Sequence, residues 1–227
     1  MKLSNKILIG FFGFIFIYMT AAFTEIRFKG DPNRIDEFNG IAETVGIAGV
    51  RYLVLPDLDH NISILGSSDP RIEVRSISGD ILQYLKYNIM GDTLTLENFT
   101  LEVDQHVHMV IHVPKNDFKG LTSNNAGINI SELELSTLSI SQFDGWIRLD
   151  DNNKLGKINL KAEHGAYFNL NEAELDTLSA IIDDSEVTIN SSLNLAKGSI
   201  SNKSYLNLSG TKEIQFKKDE GSRLYLN

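Results

Sequence analysis

A 20-residue repeat constrains this chain more than any other feature. Four segments share the pattern apolar-x-x-apolar-x-apolar, at 135–140, 155–160, 175–180 and 195–200, and their leading leucines, Leu135, Leu155, Leu175 and Leu195, stand twenty residues apart each time. A weaker copy, Phe118-Lys-Gly-Leu121-Thr-Ser123, precedes them, and a truncated one, Ile214-Gln-Phe216, follows. Each copy has a companion pair at i and i+2: Ile128/Ile130, Ile147/Leu149, Phe168/Leu170, Val187/Ile189, Leu206/Leu208 and Leu224/Leu226. Residues two apart share one face of a strand. A unit this short cannot bury its apolar face alone, whereas copies stacked about 4.8 Å apart form one continuous core. The expected fold is an all-β β-solenoid of single-rung repeats of about 20 residues. Its predicted core is Leu138, Ile140, Ile147, Leu149, Ile158, Leu160, Phe168, Leu170, Leu178, Val187, Ile189, Ile200, Leu206 and Leu208. A leucine-rich repeat would need a fixed Asn and a helical stretch in each copy, and the sequence has neither.

Three segments are expected along the chain: 1–23, a membrane anchor or signal; 24–43, a polar linker; and 44–227, the solenoid. Lys2 and Lys6 precede an uncharged apolar run at 7–23. Seventeen helical residues reach about 26 Å, just enough for a hydrocarbon core of about 30 Å. Thr20-Ala21-Ala22 equally offers small residues for a signal peptidase. The lysines favour a cytoplasmic N-terminus, with the rest exported. The expected location is therefore the inner membrane with the domain in the periplasm, or outside the cell if the segment is cleaved. The net charge of −9 argues against a nucleic-acid partner, and the absence of Cys removes disulfides and thiolate metal sites.

Between the linker and the repeats, Val50, Tyr52 and Val54 alternate, Ile62/Ile64 and Ile72/Val74 form strand pairs, and Val107 to Val113 alternate up to Pro114. Gly79-Asp80 is expected to cap a short helix through Tyr87, and Met90-Gly-Asp-Thr93 to turn a hairpin into Leu94-Thr-Leu96. The order Gly49-Val50-Arg-Tyr52-Leu-Val54, Arg71-Ile72-Glu-Val74, Ile81-Leu82-Gln-Tyr84-Leu85, Gly91-Asp92-Thr93-Leu94-Thr-Leu96, Val110-Ile-His-Val113-Pro114, Gly120-Leu121 and Gly127-Ile128-Asn129 resembles the auto-transporter adhesin head, GIN-domain family of envelope proteins of Bacteroidetes-type bacteria. The resemblance covers about residues 44–210. It implies an exported all-β protein of stacked strands, with no catalytic residues to carry over.

No nucleophile elbow, phosphate loop, dinucleotide fingerprint or metalloprotease helix occurs. No enzyme activity and no cofactor are expected. His106, His108 and His112 share one parity of a strand and are weak zinc candidates against a plain polar face. Asp150-Asp151 and Asp183-Asp184 read as solvated corners rather than calcium sites. The sharper candidate is the outward side of the companion strands. If Ile147, Phe168, Val187, Leu206 and Leu224 point inward, Trp146, Tyr167, Glu186, Tyr205 and Arg223 point outward, with Arg148, Asn169, Thr188, Asn207 and Tyr225 one step along. Trp146, Arg148, Tyr167, Tyr205, Arg223 and Tyr225 would then form a flat binding face for a glycan or an envelope protein. The alternatives are that these rings shield the rung hydrogen bonds or pack against residues 44–113, that the chain is an envelope spacer with no ligand of its own, and, less favoured, that it is a polysaccharide-acting enzyme.

Overall fold

The computed structural model describes residues 11–20, 40–57, 61–76, 79–97, 107–150 and 152–226. The chain divides into two compact units, Met1–Asn39 and Gly40–Asn227. In the first, residues 11–20 are helical, with Phe11, Phe12, Phe14, Phe16, Ile17 and Tyr18 all exposed. Ten helical residues measure about 15 Å, and among the described residues no helix is long and apolar enough to cross a membrane. The flanks of the expected 7–23 anchor lie outside the described residues.

The second unit is a β-solenoid. Its early strands are β1 (Ile41–Gly46), β2 (Tyr52–Leu55), β3 (Asn61–Ser67), β4 (Arg71–Ser76), β5 (Tyr87–Met90), β6 (Thr93–Leu96), β7 (His108–Pro114), β8 (Gly120–Asn124) and β9 (Gly127–Ser131). The repeats supply β10 (Glu134–Phe143), β11 (Trp146–Leu149), β12 (Lys154–Glu163), β13 (Tyr167–Asn171), β14 (Glu174–Asp183), β15 (Glu186–Asn190), β16 (Leu195–Ser201), β17 (Tyr205–Leu208), β18 (Glu213–Lys218) and β19 (Arg223–Leu226). They form two sheets. The front sheet runs β1-β4-β7-β3-β9-β11-β13-β15-β17-β19, and the back sheet runs β18-β16-β14-β12-β10-β8-β2-β6-β5. From β10 the chain winds five times, one strand per sheet in each turn, and every pairing there is parallel. Every predicted core residue is buried, at 0–3% exposure.

The register corrects the repeat in two places. Copies one to three stack as expected, Leu138 on Ile158 on Leu178. The fourth is two residues short, because β14 pairs Leu178 with Ala196 and Ala180 with Gly198. Leu195 therefore stands beside Thr177 and is only half-buried, while Leu193 is buried at 1% exposure. Gly198 fills an inward position at φ +145, where a Cβ would lie 1.7 Å from the Ala180 carbonyl oxygen. The weak first copy is also shifted, since Leu121 pairs with Ile140 rather than with Leu138.

The early turns are interleaved. β2 sits between β6 and β8, and β3 between β7 and β9, so the chain winds outward through β4–β7 before it returns. Antiparallel β1 and β5 close this end, and the expected hairpin pairs Met90 with Thr93. β1 begins at Ile41, a few residues before the expected boundary at 44. The inward residues of β2 are Leu53 and Leu55, and Tyr52 is exposed. The helix expected through Tyr87 is a single 3-10 turn, Leu82–Tyr84, without a side-chain cap from its own N-cap residue Ile81. Asp80 takes φ 58 instead of capping. Glu43 Oε2 accepts hydrogen bonds from the amides of Ile81 (2.7 Å) and Leu82 (3.1 Å), which Asp80 was expected to serve.

Candidate functional site

The front sheet places the outward residues of β11 to β19 in two straight rows. In the first, Trp146 pairs with Tyr167, Tyr167 with Glu186, Glu186 with Tyr205 and Tyr205 with Arg223. In the second, Arg148, Asn169, Thr188, Asn207 and Tyr225 stack in the same way. These rows follow from strand parity alone, because the residues between them are buried.

The rings are not equivalent. Tyr167, Tyr205 and Tyr225 are 40%, 41% and 44% exposed. Trp146 is partly buried and lies over Gly127 of the neighbouring strand, where a Cβ would come within 2.8 Å of indole Cε2. Its ring covers the gap left by a glycine, a known way to steady a strand. Polar neighbours orient the tyrosines. Asn169 Nδ2 donates to Tyr167 Oη at 3.2 Å, and an Arg223 guanidinium nitrogen donates to Tyr225 Oη at 3.3 Å. The Arg223 guanidinium also sits 5.7 Å from the Tyr205 ring centroid, a cation–π distance. Arg148 Nε pairs with Asp150 Oδ1 at 3.0 Å.

Among the described residues the histidines make no metal site. His106 lies outside the described residues, and His108 is exposed. His112 is buried, its side chain 7% exposed, and its Nε2 lies 3.3 Å from Glu73 Oε2. That nitrogen is engaged by a carboxylate rather than free. Among the described residues no group of three His, Cys, Asp or Glu could hold a metal. Asp183 is likewise occupied, its Oδ1 accepting from Ser201 Oγ and Asn202 Nδ2, both at 2.6 Å. Asp151 lies outside the described residues.

Two features went unread in the sequence. One is an ion cluster around Glu73. Arg75 Nε meets Glu73 Oε1 at 2.7 Å, and Arg71 meets Oε2 at 3.3 Å. Burial pushes the Glu73 carboxyl up, but the hydrogen bonds and charges of Arg75, Arg71 and His112 outweigh it and hold it below the usual range. Burial, then the charge of Arg71, hold the His112 imidazole below its ordinary value against the pull of Glu73. The alternation Arg71-x-Glu73-x-Arg75 was the available signal. The other feature is a corner groove of about 890 Å³ beside Glu134, Lys154, Glu172, Glu174, Asp176 and Asn194. It lies where the first three residues of β14, 174–176, have no ladder partner in β16. Charges alternate across its rungs, Glu134 beside Lys154 beside Glu174, and Glu134 also pairs with Lys115 at 3.0 Å.

Two crystal structures share this fold, each of a "putative adhesin". One, from Bacteroides fragilis, superimposes at a TM-score of 0.58 with 10% identity, over 84% of this chain and 98% of its own. The other, from Parabacteroides distasonis, gives 0.61 with 12% identity, over 83% and 95%. No family profile and no curated protein matches the sequence.

Proposed function

We propose that this chain is an exported, membrane-anchored binding module of the bacterial cell envelope, that it works without catalysis, and that the front-sheet rows grip a glycan or an envelope protein. The fold it shares with the Bacteroides and Parabacteroides proteins, and the sequence resemblance to the GIN-domain family, support an adhesin-like role. The observation that carries the reading is the exposure of Tyr167, Tyr205 and Tyr225 on one flat, register-locked face. Tyr167 and Tyr205 stand two strands apart, about 10 Å at the usual spacing. Each ring offers apolar area, and Asn169, Arg148 and Arg223 supply hydrogen bonds at its edge. Shielding of rung hydrogen bonds explains this less well. The back sheet has the same parallel bonds, and its outward row Ser139, Asn159, Ser179, Lys197 and Gln215 has no ring.

The test is retention of the full chain on envelope polysaccharide and envelope extract. Tyr167→Ala with Tyr205→Ala is the informative variant, because Trp146 also covers Gly127. Retention is expected to fall about tenfold or more with an unchanged melting temperature. Unchanged retention would leave the chain as a spacer. An alkaline-carbonate wash addresses the anchor: full-length protein in the pellet supports it, and release of a shortened form replaces it with a cleaved signal.

A further inference from the structure

The two ends of the solenoid are finished differently. At the β1/β5 end the outermost strands are antiparallel and the segment at Ile81 to Leu85 packs into the core. At the other end, among the described residues, β18 and β19 are the outermost strands, each paired on one side only, with β16 and β17. Their inward residues lose the cover that the interior rungs enjoy. Leu206 and Leu208 are 0% and 1% exposed, while Leu226, the register partner of Leu208, is 59% exposed. Ile214, Phe216 and Leu224 are only partly buried.

We propose that this open end pairs with the same end of a second copy, by antiparallel addition of β18 to β18 and β19 to β19 about one two-fold axis. The sequence of β18 is self-complementary in that arrangement. Directly opposed residues of an antiparallel pair project to the same face. With the axis through Gln215, Glu213 faces the second copy's Lys217 on the outer side, and Ile214 faces the second copy's Phe216 on the inner side. In the front sheet, with the axis through Tyr225, Leu224 faces the second copy's Leu226, both inward. A two-fold rotation about the normal to the sheets keeps each sheet in its own layer, so both junctions form together. Edge lysines ordinarily repel a neighbouring strand. Here Lys217 meets a carboxylate instead, twice per dimer. A closed two-fold pair also uses up both open ends, whereas head-to-tail stacking would grow a filament.

The chain has no native cysteine, so a single introduced thiol reports one contact. The full chain in detergent micelles is oxidised as Gln215→Cys and, as control, as Lys197→Cys. Gln215→Cys is expected to give a disulfide-linked dimer. Lys197→Cys, on the adjacent strand, is expected to give none, because its partner would lie about 14 Å away across three strand spacings. Sedimentation equilibrium then reads the charges. Lys217→Glu is expected to weaken association about tenfold or more, and Glu213→Lys with Lys217→Glu to restore it to within about threefold of the unaltered chain. A monomeric unaltered chain, equal cross-linking at both positions, association indifferent to Lys217→Glu, or a double swap that restores nothing would each overturn the proposal. Association through the apolar N-terminal segment predicts indifference to the charge swap.

Discussion

On the front sheet the outward positions of β11 to β19 carry Trp146, Tyr167, Glu186, Tyr205 and Arg223; across the core, the back sheet presents Ser139, Asn159, Ser179, Lys197 and Gln215. Both sheets are parallel through these turns, and short of the terminal rung both inward rows are largely apolar and buried. Stacking dictates the inward rows of both sheets and leaves the outward rows free. The back face is not wholly polar, since Ile181 and Phe143 are 51% and 45% exposed, and Phe143 stacks on His164 at 4.3 Å between ring centroids. It nevertheless forms the same ladder without a row of rings. The ladder alone therefore does not require Tyr167, Tyr205 and Tyr225, whereas Trp146 covers Gly127.

The sharpest way to confirm that the two faces share one core is to break it from either side. Leu160→Asp from the back sheet and Phe168→Asp from the front each place an unpaired carboxylate between rungs, at 3% and 0% exposure. Each is expected to cost on the order of 4 kcal/mol or more and to abolish cooperative melting. A helical circular dichroism spectrum of the unaltered chain would remove the comparison altogether. A smaller effect is expected at the polar end of the front face. Glu73→Gln removes the carboxylate shared by Arg71, Arg75 and His112. The expected loss is about 2 kcal/mol by denaturant titration, below the usual cost of breaking a fully buried pair because Arg71 and Arg75 are 28% and 45% exposed.

The smallest effect is in pH. His112 is held below its ordinary value, so its contribution is full above the unfolded imidazole value, about 6.5, and declines as acid protonates the unfolded chain first. The depressed Glu73 carboxyl adds a second loss below the unfolded carboxylate value, about 4.3, as pH falls through its folded value. Arg71, Arg75, Asp69 and His108 are the other charged or titratable groups around this pair. Melting temperature is expected to fall from pH 7 to pH 5.5 and further toward pH 4, and His112→Gln to flatten the upper step more than the lower.

The inward rows could be read from the sequence because two periods coincide there, two along the strand and about twenty between rungs. The register slip could not, because Leu195 continues the twenty-residue spacing by coincidence while Leu193 takes the buried place. Gly198, a glycine in an apolar slot, was the one sign of it. The interleaving of β2 and β3 was hidden because parallel neighbours need not be neighbours in sequence. Glu43 caps amides 38 and 39 residues away, which no local pattern records. The outward rows were legible in full, but the unequal exposure of Trp146 and the tyrosines depends on Gly127, which lies nineteen residues earlier on another rung.

Oxidative footprinting of the full chain with and without envelope polysaccharide compares the two faces in a single experiment. Tyr167, Tyr205 and Tyr225 on the front, and Tyr52 and Phe143 on the back, are all 40–45% exposed and start from comparable reactivity. The binding account expects protection of the three front tyrosines while Tyr52 and Phe143 react as before. Protection confined to Tyr52 and Phe143, or equal on both faces, would contradict it.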